Sequence, residues 1–530
     1  MGNIDPVMLE LYWTRLISIV DEAAKVIVRT SFSTLSNEAN DFSCVLTDEA
    51  GNLLAQNASS IPSFICTLPA TVRHFLTHIG AHDMRDGDVL ITNNPWIGTG
   101  HLNDVTVVKP LFRGEKLVAF AATTSHMPDI GGRIRSVASR ELFEEGFHIP
   151  PMHLMRKGVA DETLVKLIRT NVRTPDQTIG DIWAQVGALH MMESRLLGML
   201  EANGLASLRA LADELFVRSE KAMRAAIHAV PNGTYHYEMS TDGLAEPFKF
   251  KIALSVRDEE IEADFEGSSP QQLRAINCPY TYTFAMTAYA VKAALLPNLP
   301  NNQGMFRPII VKAPEGCILN PRFPASVGGR AATGHFVPSL VFGALHQVCP
   351  DQVMAGTSPL WNINLSGIGP DGKPFASIMF FNGGTGARPT LDGVSCLSWP
   401  SNLACTPVEV AERSSPVFFH YKRLRPDSGG DGEFRGGLGQ DVLMEITTGP
   451  VSAAFVAERT KFSAPGLGGG ADGGLGDVQI NGVSVDNRQD YILRRKDRVL
   501  LRLPGGGGYG DSARRPAGQR DKDRAMGYTR

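Results

Sequence analysis

Two β-rich runs joined by a short polar break constrain the fold of this chain more than any other stretch. The runs cover residues 105–112 and 117–124, and Gly114 lies in the break between them. A glycine at a short polar break between two strand-like runs is typical of a β-hairpin. Pro110 cannot donate a ladder hydrogen bond, so it fits only at an edge or a bulge. The sequence therefore predicts a hairpin whose register is open to a shift of one residue.

Asp104 precedes the first run of this hairpin, and His126 follows the second. A turn centred on residues 114–115 pairs Asp104 with Ser125. Asp104 and His126 then emerge at the same end of the hairpin, within one residue of being opposite. Directly opposed residues have Cβ atoms roughly 4.5–5.5 Å apart, which lets two side chains share one ion.

Further histidine and aspartate residues lie in polar loops before and after the hairpin. Neutral imidazole nitrogen and carboxylate oxygen are ligands for divalent ions such as Zn²⁺ or Mn²⁺. Taken alone, each histidine could instead be a hydrogen-bonded loop or core residue, and the hairpin geometry favours the ligand role for three of the residues. The candidate metal ligands are Asp41, His101, Asp104, His126 and His148.

Three arginines follow the hairpin at positions 133, 135 and 140. Their guanidinium groups could meet an anionic group of a substrate. They could equally be surface arginines, and the sequence leaves both interpretations open.

Composition excludes several classes of protein. The 530 residues carry a formal net charge of −4, so no basic surplus suggests nucleic acid or an anionic membrane as a partner. No run of about 20 apolar residues and no signal-peptide pattern occurs. The seven cysteines never show Cys-x-x-Cys spacing, which favours reduced thiols. We therefore expect a cytoplasmic protein with neither a nucleic-acid nor a membrane partner.

The order of the predicted elements indicates an α+β fold. A helix is expected from Pro6 to about Arg29, and strand patterns resume at Gly233 after a long helical insert. Because helices and strands do not alternate regularly, mixed or antiparallel sheets are favoured over a doubly wound sheet. The predicted regions are an α+β metal-site region at 1–160, a helical region at 161–232, an α+β region with a glycine-rich β C-terminal third at 233–511, and a disordered tail at 512–530.

The glycine clusters of the last third raise the question of a nucleotide site. No Gly-x-x-x-x-Gly-Lys-Ser/Thr occurs, and no Gly-x-Gly-x-x-Gly follows a buried strand and opens a helix. We interpret the clusters as glycine-rich β-turns. ATP is expected to bind outside this chain.

Eight stretches carry a family resemblance in the order in which they occur. They are residues 41–43, 94–104, 126 with 129–132, 145–151, 171–173, 427–430, 435–439 and 504–510. Over about residues 4 to 511 the chain resembles the hydantoinase B/oxoprolinase family. That family includes B subunits of ATP-dependent hydantoinases, the C-terminal half of 5-oxoprolinase, a caprolactamase subunit, and the metal-carrying subunit of acetone and acetophenone carboxylases.

The resemblance implies a two-subunit enzyme. A hydantoinase A-type partner, an actin-like ATPase holding ATP and Mg²⁺, would phosphorylate the carbonyl oxygen of a lactam, imide or ketone. This chain would process the activated intermediate at a divalent metal, within a hetero-oligomer of A2B2 or larger. By similarity the five candidate ligands match the family's metal positions. His148, as a ligand or an acid/base, and Asp129 are the candidate catalytic residues.

We therefore predict the metal-dependent B subunit of an ATP-dependent cyclic amide hydrolase, acting on a hydantoin, 5-oxoproline or another lactam. Two alternatives remain. One is the metal-carrying subunit of an ATP-dependent ketone carboxylase, which bicarbonate incorporation into a ketone would reveal. The other is a non-catalytic scaffold for the ATPase subunit, in which case His126→Ala would leave the activity of the reconstituted complex intact.

Overall fold

The computed structural model describes residues 4–133 and 135–530. The helices in these residues are α1 Pro6–Thr30, α2 Thr34–Asn37, α3 Thr67–His78, α4 Glu162–Asn171, α5 Pro175–Ala202, α6 Arg209–His228, α7 Tyr280–Leu295, α8 Gln303–Phe306, α9 Ala331–Gly334, α10 Val337–Leu345, α11 Val408–Ser414 and α12 Ala517–Ala525.

The strands of the same residues belong to four sheets. They are β1 Phe42–Asp48, β2 Leu53–Gln56, β3 Val89–Thr92, β4 Asp104–Arg113, β5 Lys116–His126, β6 Met152–Arg156, β7 Val159–Ala160, β8 Gly233–Thr241, β9 Phe248–Arg257, β10 Glu260–Asp264, β11 Ile309–Lys312, β12 Trp361–Ile368, β13 Pro374–Phe381, β14 Val417–Leu424, β15 Gln440–Ile446, β16 Val451–Val456, β17 Asp477–Ile480, β18 Val483–Ser484, β19 Tyr491–Leu493 and β20 Arg498–Arg502.

Antiparallel pairing dominates the sheets, and among the described strand pairs only β10–β11 is parallel. This confirms the predicted α+β class with mixed or antiparallel sheets. The sheet orders are β2-β1-β5-β4-β3-β6-β7, β11-β10-β9-β8, β13-β12-β16-β19 and β14-β15-β20-β17-β18.

The first helix forms as its sequence predicts. Asp5 caps it by accepting hydrogen bonds from the backbone N–H groups of Val7 and Met8, and Pro6 occupies the first turn, where its missing N–H costs nothing. Its apolar stripe is buried, and the helix packs against α5 and β1. The helices of the predicted 161–232 region thus share a core with the first sheet.

The central hairpin forms, but its register differs by one residue from the prediction. Asp104 pairs directly with His126 rather than with Ser125, because a bulge between Leu111 and Phe112 shifts the ladder. Strand β3 pairs with β4 only as far as Val108, so the proline at position 110 lies beyond that ladder and its missing N–H breaks no bond there.

The two faces of the seven-stranded sheet pack against different partners. Alternate β1 and β4 residues such as Cys44 and Val107 share a core with α1 and α5. The opposite face, with residues such as Val45 and Val108, shares a core with α3, α7 and α10. Side chains at every second position of a strand point to the same face of the sheet. Asp104 and His126 therefore lie on the face that packs against α3, α7 and α10, and this packing region is called the second core below.

The glycine clusters of the last third serve close backbone packing, which corrects their interpretation as β-turns. The Gly430 N–H donates to Gly506 O at 2.8 Å, and the Gly506 N–H donates to Gly437 O at 3.0 Å. A Cβ built on Gly506 would lie 1.9 Å from Thr385 O. Segments therefore approach more closely than any side chain allows, with only a minority of these glycines at positive φ.

The C-terminal tail is ordered, contrary to the prediction of disorder for 512–530. Residues 517–525 form α12, and Arg515 ahead of this helix contacts both Asp392 at 2.7 Å and Asp523 at 2.7 Å. One of the basic residues that suggested disorder, Arg515, is thus the ion-pair partner of a buried and a half-buried carboxylate.

Within residues 4–133 and 135–530, no helix combines the length and the apolar character needed to cross a membrane.

Candidate metal centre

Two adjacent strands and the residue that precedes a third place three polar side chains in one row. Asp104 is the first residue of β4 and lies opposite His126, the last residue of β5. On the other side of β5, the His126 N–H donates to the carbonyl of Asp41 at 2.9 Å, which extends the ladder that pairs Phe42 with Ser125. Residues opposite each other across a sheet share a face. The row Asp41–His126–Asp104 therefore faces the second core, where all three residues are buried.

His101 joins this row from the turn that precedes β4. Its Nδ1–H donates to Gly328 O at 3.1 Å, which fixes the tautomer and leaves Nε2 as the atom with a free lone pair. That Nε2 lies 2.7 Å from Asp104 Oδ1 and 3.2 Å from His126 Nδ1. A backbone carbonyl that orients an imidazole in this way is the usual outer partner of a metal-binding histidine.

With its Nδ1–H on Gly328 O, His101 turns an Nε2 lone pair toward Asp104 Oδ1, and a shared cation makes that contact favourable. A proton on His101 is disfavoured, because burial and then the charge of Arg330 lower its pKa to about 3. His126 Nδ1, 2.9 Å from the same oxygen, completes a group of three donor atoms. Two ligand atoms that each lie about 2.1 Å from one ion are roughly 3.0–3.4 Å apart. The 3.2 Å between the two imidazole nitrogens suits a shared ion, whereas the 2.7 and 2.9 Å to Asp104 Oδ1 are hydrogen-bond distances that must lengthen when an ion binds.

The second carboxylate oxygen of Asp104 is held by two donors. Thr99 Oγ1 and Arg330 Nη2 each donate to Oδ2 at 2.6 Å, while Arg330 Nε donates to Thr99 O at 2.6 Å. Burial alone would raise the pKa of Asp104, but the opposing effects of His101 and Arg330 outweigh it and hold the pKa well below its usual range. Asp104 is therefore ionised. Its Oδ2 accepts hydrogen bonds from Thr99 and Arg330, and its Oδ1 faces the two imidazoles.

Arg330 reaches Asp104 across a gap that only glycine leaves open. Gly100 has a φ of +100°, and a Cβ there would lie 2.6 Å from Arg330 Cδ. The guanidinium carbon lies 4.5 Å from the centre of the Tyr282 ring, a cation–π contact from α7. The position of Arg330 is thus set by the turn before β4 on one side and by α7 on the other.

Glu145 fixes the segment that carries Gly328, whose carbonyl oxygen accepts the hydrogen bond from His101. One carboxylate oxygen accepts from the Ser326 hydroxyl and, at 2.7 Å each, from the N–H groups of Val327 and Gly328. Its burial raises the pKa to about 7, against the lowering effect of these hydrogen bonds. Glu145 holds the Gly328 carbonyl in place, and that carbonyl orients His101.

The donor group borders a small cavity between the sheet and the α7–α10 layer. Its volume of about 30 Å³ holds roughly two water molecules. Both polar and apolar side chains line it. The lining residues that bear on chemistry are Asp41, His101, His126, Arg135, Tyr282, Arg330 and His335.

The predicted site residues divide into two sets. His101, Asp104 and His126 form the donor group, and Asp41 lines the same cavity without belonging to that group. Burial raises the pKa of Asp41, opposed first by the charge of His126. His148 lies outside both the donor group and the cavity lining, half-buried, with an Nε2 that has no hydrogen-bond partner in the described residues.

Asp129 is engaged in a separate contact set. One oxygen accepts from Arg173 Nη1 at 2.7 Å and from the Gly131 N–H at 3.2 Å, and the other accepts from the Arg173 N–H. The residue therefore ties the loop after β5 to the start of α5, away from the cavity. Of the three arginines that follow the hairpin, Arg135 is buried in the cavity wall, and Arg133 and Arg140 are exposed.

Sequence reasoning did not single out three contributors to the site, namely Tyr282, Arg330 and His335. They come from α7 and the α9–α10 region, more than 150 residues after the hairpin. The signal in the sequence was weak: a Gly-Gly pair and an arginine before an apolar helical run.

The sequence matches the family described as Hydantoinase B/oxoprolinase over residues 5–512. The chain belongs to this family. Among its relatives is the 5-oxoprolinase of Dictyostelium discoideum, which is 30% identical over 530 residues, covering 96% of this chain and 40% of that protein. The caprolactamase subunit beta of Pseudomonas jessenii is 29% identical over 552 residues, covering 97% of this chain and 92% of that one.

Two solved structures share the architecture of this chain. The crystal structure of the ATP-dependent caprolactamase from Pseudomonas jessenii superposes with a TM-score of 0.88 at 28% identity, covering 100% of this chain and 95% of that chain. Acetone carboxylase in its nucleotide-free structure also gives a TM-score of 0.88, over 99% of this chain and 78% of that chain. At 17% identity the second likeness shows the fold alone.

Proposed function

We propose that this chain is the metal-dependent subunit of an ATP-dependent cyclic amide hydrolase. Its substrate would be a hydantoin, 5-oxoproline or another lactam, activated by phosphorylation of the carbonyl oxygen on a partner subunit. Zn²⁺ or Mn²⁺ would be held by His101, Asp104 and His126, with Asp41 as the further carboxylate.

One observation carries the proposal. The His101 Nε2, Asp104 Oδ1 and His126 Nδ1 atoms converge within 3.2 Å of one another in a buried site, and at least two of them face each other as acceptors. Uncompensated contacts of this kind are costly in a low-dielectric interior. A buried divalent cation removes that cost, and two imidazoles with one or two carboxylates suit Zn²⁺ or Mn²⁺.

The residues around the donor group have distinct tasks. A bound divalent ion supplies Lewis acidity toward an acyl or phosphoryl oxygen and lowers the pKa of water. Arg330 and Thr99 hold Asp104 in one orientation, and Gly328 selects the tautomer of His101. His126 Nε2 is buried without a hydrogen-bond partner among the described residues, so it is available to a ligand. His148 and Asp129 have no assigned step in this proposal, and the acid/base role predicted for them stays a prediction.

The partner follows from the relatives. The caprolactamase relative is named as a beta subunit, and its crystal structure is described as that of an ATP-dependent enzyme. We infer that a hydantoinase A-type ATPase subunit binds ATP and Mg²⁺ and assembles with this chain in an A2B2 or larger complex. Lactam amides are stable toward water. Prior phosphorylation of the carbonyl oxygen makes the carbonyl carbon a better acceptor for water, which accounts for a requirement for ATP.

The test reconstitutes the chain with its A-type partner and measures ATP-dependent opening of 5-oxoproline, hydantoin and simple lactams. Ring opening is expected only when both subunits, ATP and the divalent metal are present. The matched variant is Asp104→Asn, which keeps the shape of the side chain and removes its charge. Full turnover by the isolated chain without ATP would contradict the proposal.

The same reconstituted complex separates the alternatives. Incorporation of labelled bicarbonate into a ketone, without lactam opening, would assign the carboxylase function instead. An Asp104→Asn complex with undiminished activity would indicate a scaffold whose donor group is only structural.

A further inference from the structure

A buried arginine in the cavity wall, Arg135, forms no close ion pair with a carboxylate of the described residues. Arg135 is 7% exposed, and its Nε makes no hydrogen bond to the described residues. None of the carboxylates in those residues pairs with its guanidinium within 4.0 Å, and Asp41 and Asp104 act on it only from a longer distance. An unpaired guanidinium in an interior is costly, so its retention there indicates a ligand that bears negative charge.

His335 presents a second unsatisfied group to the same cavity. It is 4% exposed, and its Nδ1 has no hydrogen-bond partner in the described part of the chain. It follows α9, whose N-terminal side carries Arg330, and it lines the cavity together with Arg135 and His126. Three buried nitrogen-bearing side chains thus border one small space and have hydrogen-bonding capacity left over: Arg135, His335 and His126, whose Nε2 is also unpartnered.

The charges around the cavity also favour an anion. With a divalent ion at the donor group, the carboxylates of Asp41 and Asp104 offset the charge of the ion. The guanidinium groups of Arg330 and Arg135 then leave two positive charges inside a buried space. A dianionic group would neutralise them, whereas water alone would not.

We propose that Arg135 and His335 form an oxyanion subsite beside the metal donors, and that it receives the phosphoryl group of the activated substrate. This inference rests on the proposed function, which supplies a carbonyl-phosphorylated intermediate. It adds the residues that recognise the phosphoryl oxygens and so distinguish the activated substrate from the free lactam.

The chemistry of the two side chains fits this ligand. A guanidinium offers several N–H donors in a planar fork that matches phosphate oxygens, and such charge-assisted hydrogen bonds are about twice as strong as neutral ones. The neutral imidazole of His335 can donate one further hydrogen bond. The cavity volume of about 30 Å³ accommodates one small oxyanion in place of roughly two waters.

Inorganic phosphate is the probe that tests the subsite directly. Isothermal titration calorimetry measures its affinity for the metal-loaded full chain, with acetate as the second ligand. Wild type is expected to bind phosphate more tightly than acetate. Arg135→Gln should weaken phosphate binding at least tenfold, and His335→Asn should weaken it several-fold, with metal content unchanged in both. Arg133→Gln is the matched control, because it removes the same charge from the same loop where the side chain is 46% exposed, and it should leave the affinity unaltered.

Several outcomes would overturn the subsite. These are no phosphate binding by wild type, equal phosphate affinity in wild type and Arg135→Gln, or acetate binding that is tighter than phosphate binding and lost in Arg135→Gln. If Arg135→Gln does not fold, Arg135→Lys replaces it, since it keeps the charge and loses the fork, and a several-fold weaker affinity is expected.

The test is independent of turnover. Phosphate binding requires neither the ATPase partner nor a lactam, so a failure of the proposed function in the reconstituted complex leaves this result readable. Conversely, a complex that opens lactams while Arg135→Gln binds phosphate like wild type removes the subsite and keeps the proposed function.

Discussion

Arg330 and Asp104 are 226 residues apart in the chain, yet the Arg330 Nη2 donates to Asp104 Oδ2 at 2.6 Å in a buried site. The pair joins the first strand of the hairpin to the segment between α7 and α10. Removing one partner of a buried ion pair typically costs about 3–5 kcal/mol because the other charge is left uncompensated.

We therefore expect Arg330→Gln to destabilise the protein by about 3 kcal/mol when metal has been removed, and by less when metal is bound, because the ion then compensates Asp104. Urea unfolding with and without chelator measures both values. Arg133→Gln, which breaks only an exposed contact, should change stability by less than about 1 kcal/mol in either condition. Equal losses for Arg330→Gln in the two conditions would argue against an ion at Asp104.

Metal content distinguishes the donor group from the other predicted ligands. Asp104→Asn and His126→Asn should each lose the tightly held ion, since each removes one of three converging donors. His148→Gln should retain it, because His148 lies outside that group. Elemental analysis of purified variants after Zn²⁺ or Mn²⁺ loading decides the point, with circular dichroism as the check on folding. Loss of metal in His148→Gln would return His148 to the ligand set.

A methyl group at position 100 should act on the site through Arg330. In Gly100→Ala the new Cβ would lie 2.6 Å from Arg330 Cδ, so the arginine must move and Asp104 loses a donor. Gly114→Ala is the matched control: it also has positive φ, but nothing lies within 4 Å of its Cβ. We expect Gly100→Ala to lower the midpoint of thermal unfolding more than Gly114→Ala does, and only Gly100→Ala to weaken metal affinity. Indistinguishable affinities in the two variants would contradict this chain of contacts.

The sequence predicts those parts of the site that local pattern governs. The hairpin brings Asp104 and His126 together because strand period and turn position are local properties. The one-residue difference in register comes from a bulge near Phe112; Pro110 indicates that a shift of one residue is possible but does not fix whether or where it occurs. Asp41 joins the row because β1 pairs with β5, a sheet order that local pattern leaves open.

The contributions of the distant segments could not be predicted in the same way. Arg330 and His335 reach the site only because α7 and α10 pack onto the sheet. The sequence pattern of their own segment therefore does not indicate that they lie near the hairpin. The glycine clusters illustrate a related limit: turn formation and close backbone packing both require glycine, and the composition is the same for either.

The C-terminal helix should contribute measurably to stability through Arg515. Its guanidinium contacts Asp392 and Asp523 at 2.7 Å each, and those hydrogen bonds, first of all the ones to Asp392, raise its pKa. Arg515→Met should lower the free energy of unfolding by about 1.5–3 kcal/mol, the range for hydrogen bonds to charged groups. Arg524→Met on the same helix, where the arginine side chain is 65% exposed, should have almost no effect. A free energy of unfolding unchanged in Arg515→Met would restore the view of a disordered tail.

Glu145 should give the protein a stability that depends on pH. Burial raises its pKa to about 7 in the folded state from an ordinary value of 4.5, so the folded chain holds this proton more tightly than the unfolded chain does. Its stabilising effect is then fully present below pH 4.5 and is lost as pH rises toward 7, by at most about 1.4 kcal/mol per pH unit.

Glu145→Gln keeps the accepting oxygen and removes the titration, so its free energy of unfolding should fall less between pH 5 and pH 8 than that of wild type. Chemical denaturation at the two pH values measures this, and Glu144→Gln, at the half-buried neighbouring position, should follow wild type far more closely. Parallel curves for wild type and Glu145→Gln would show that the buried carboxyl does not titrate in this range, and would weaken the assignment of Glu145 as the support of Gly328 and His101.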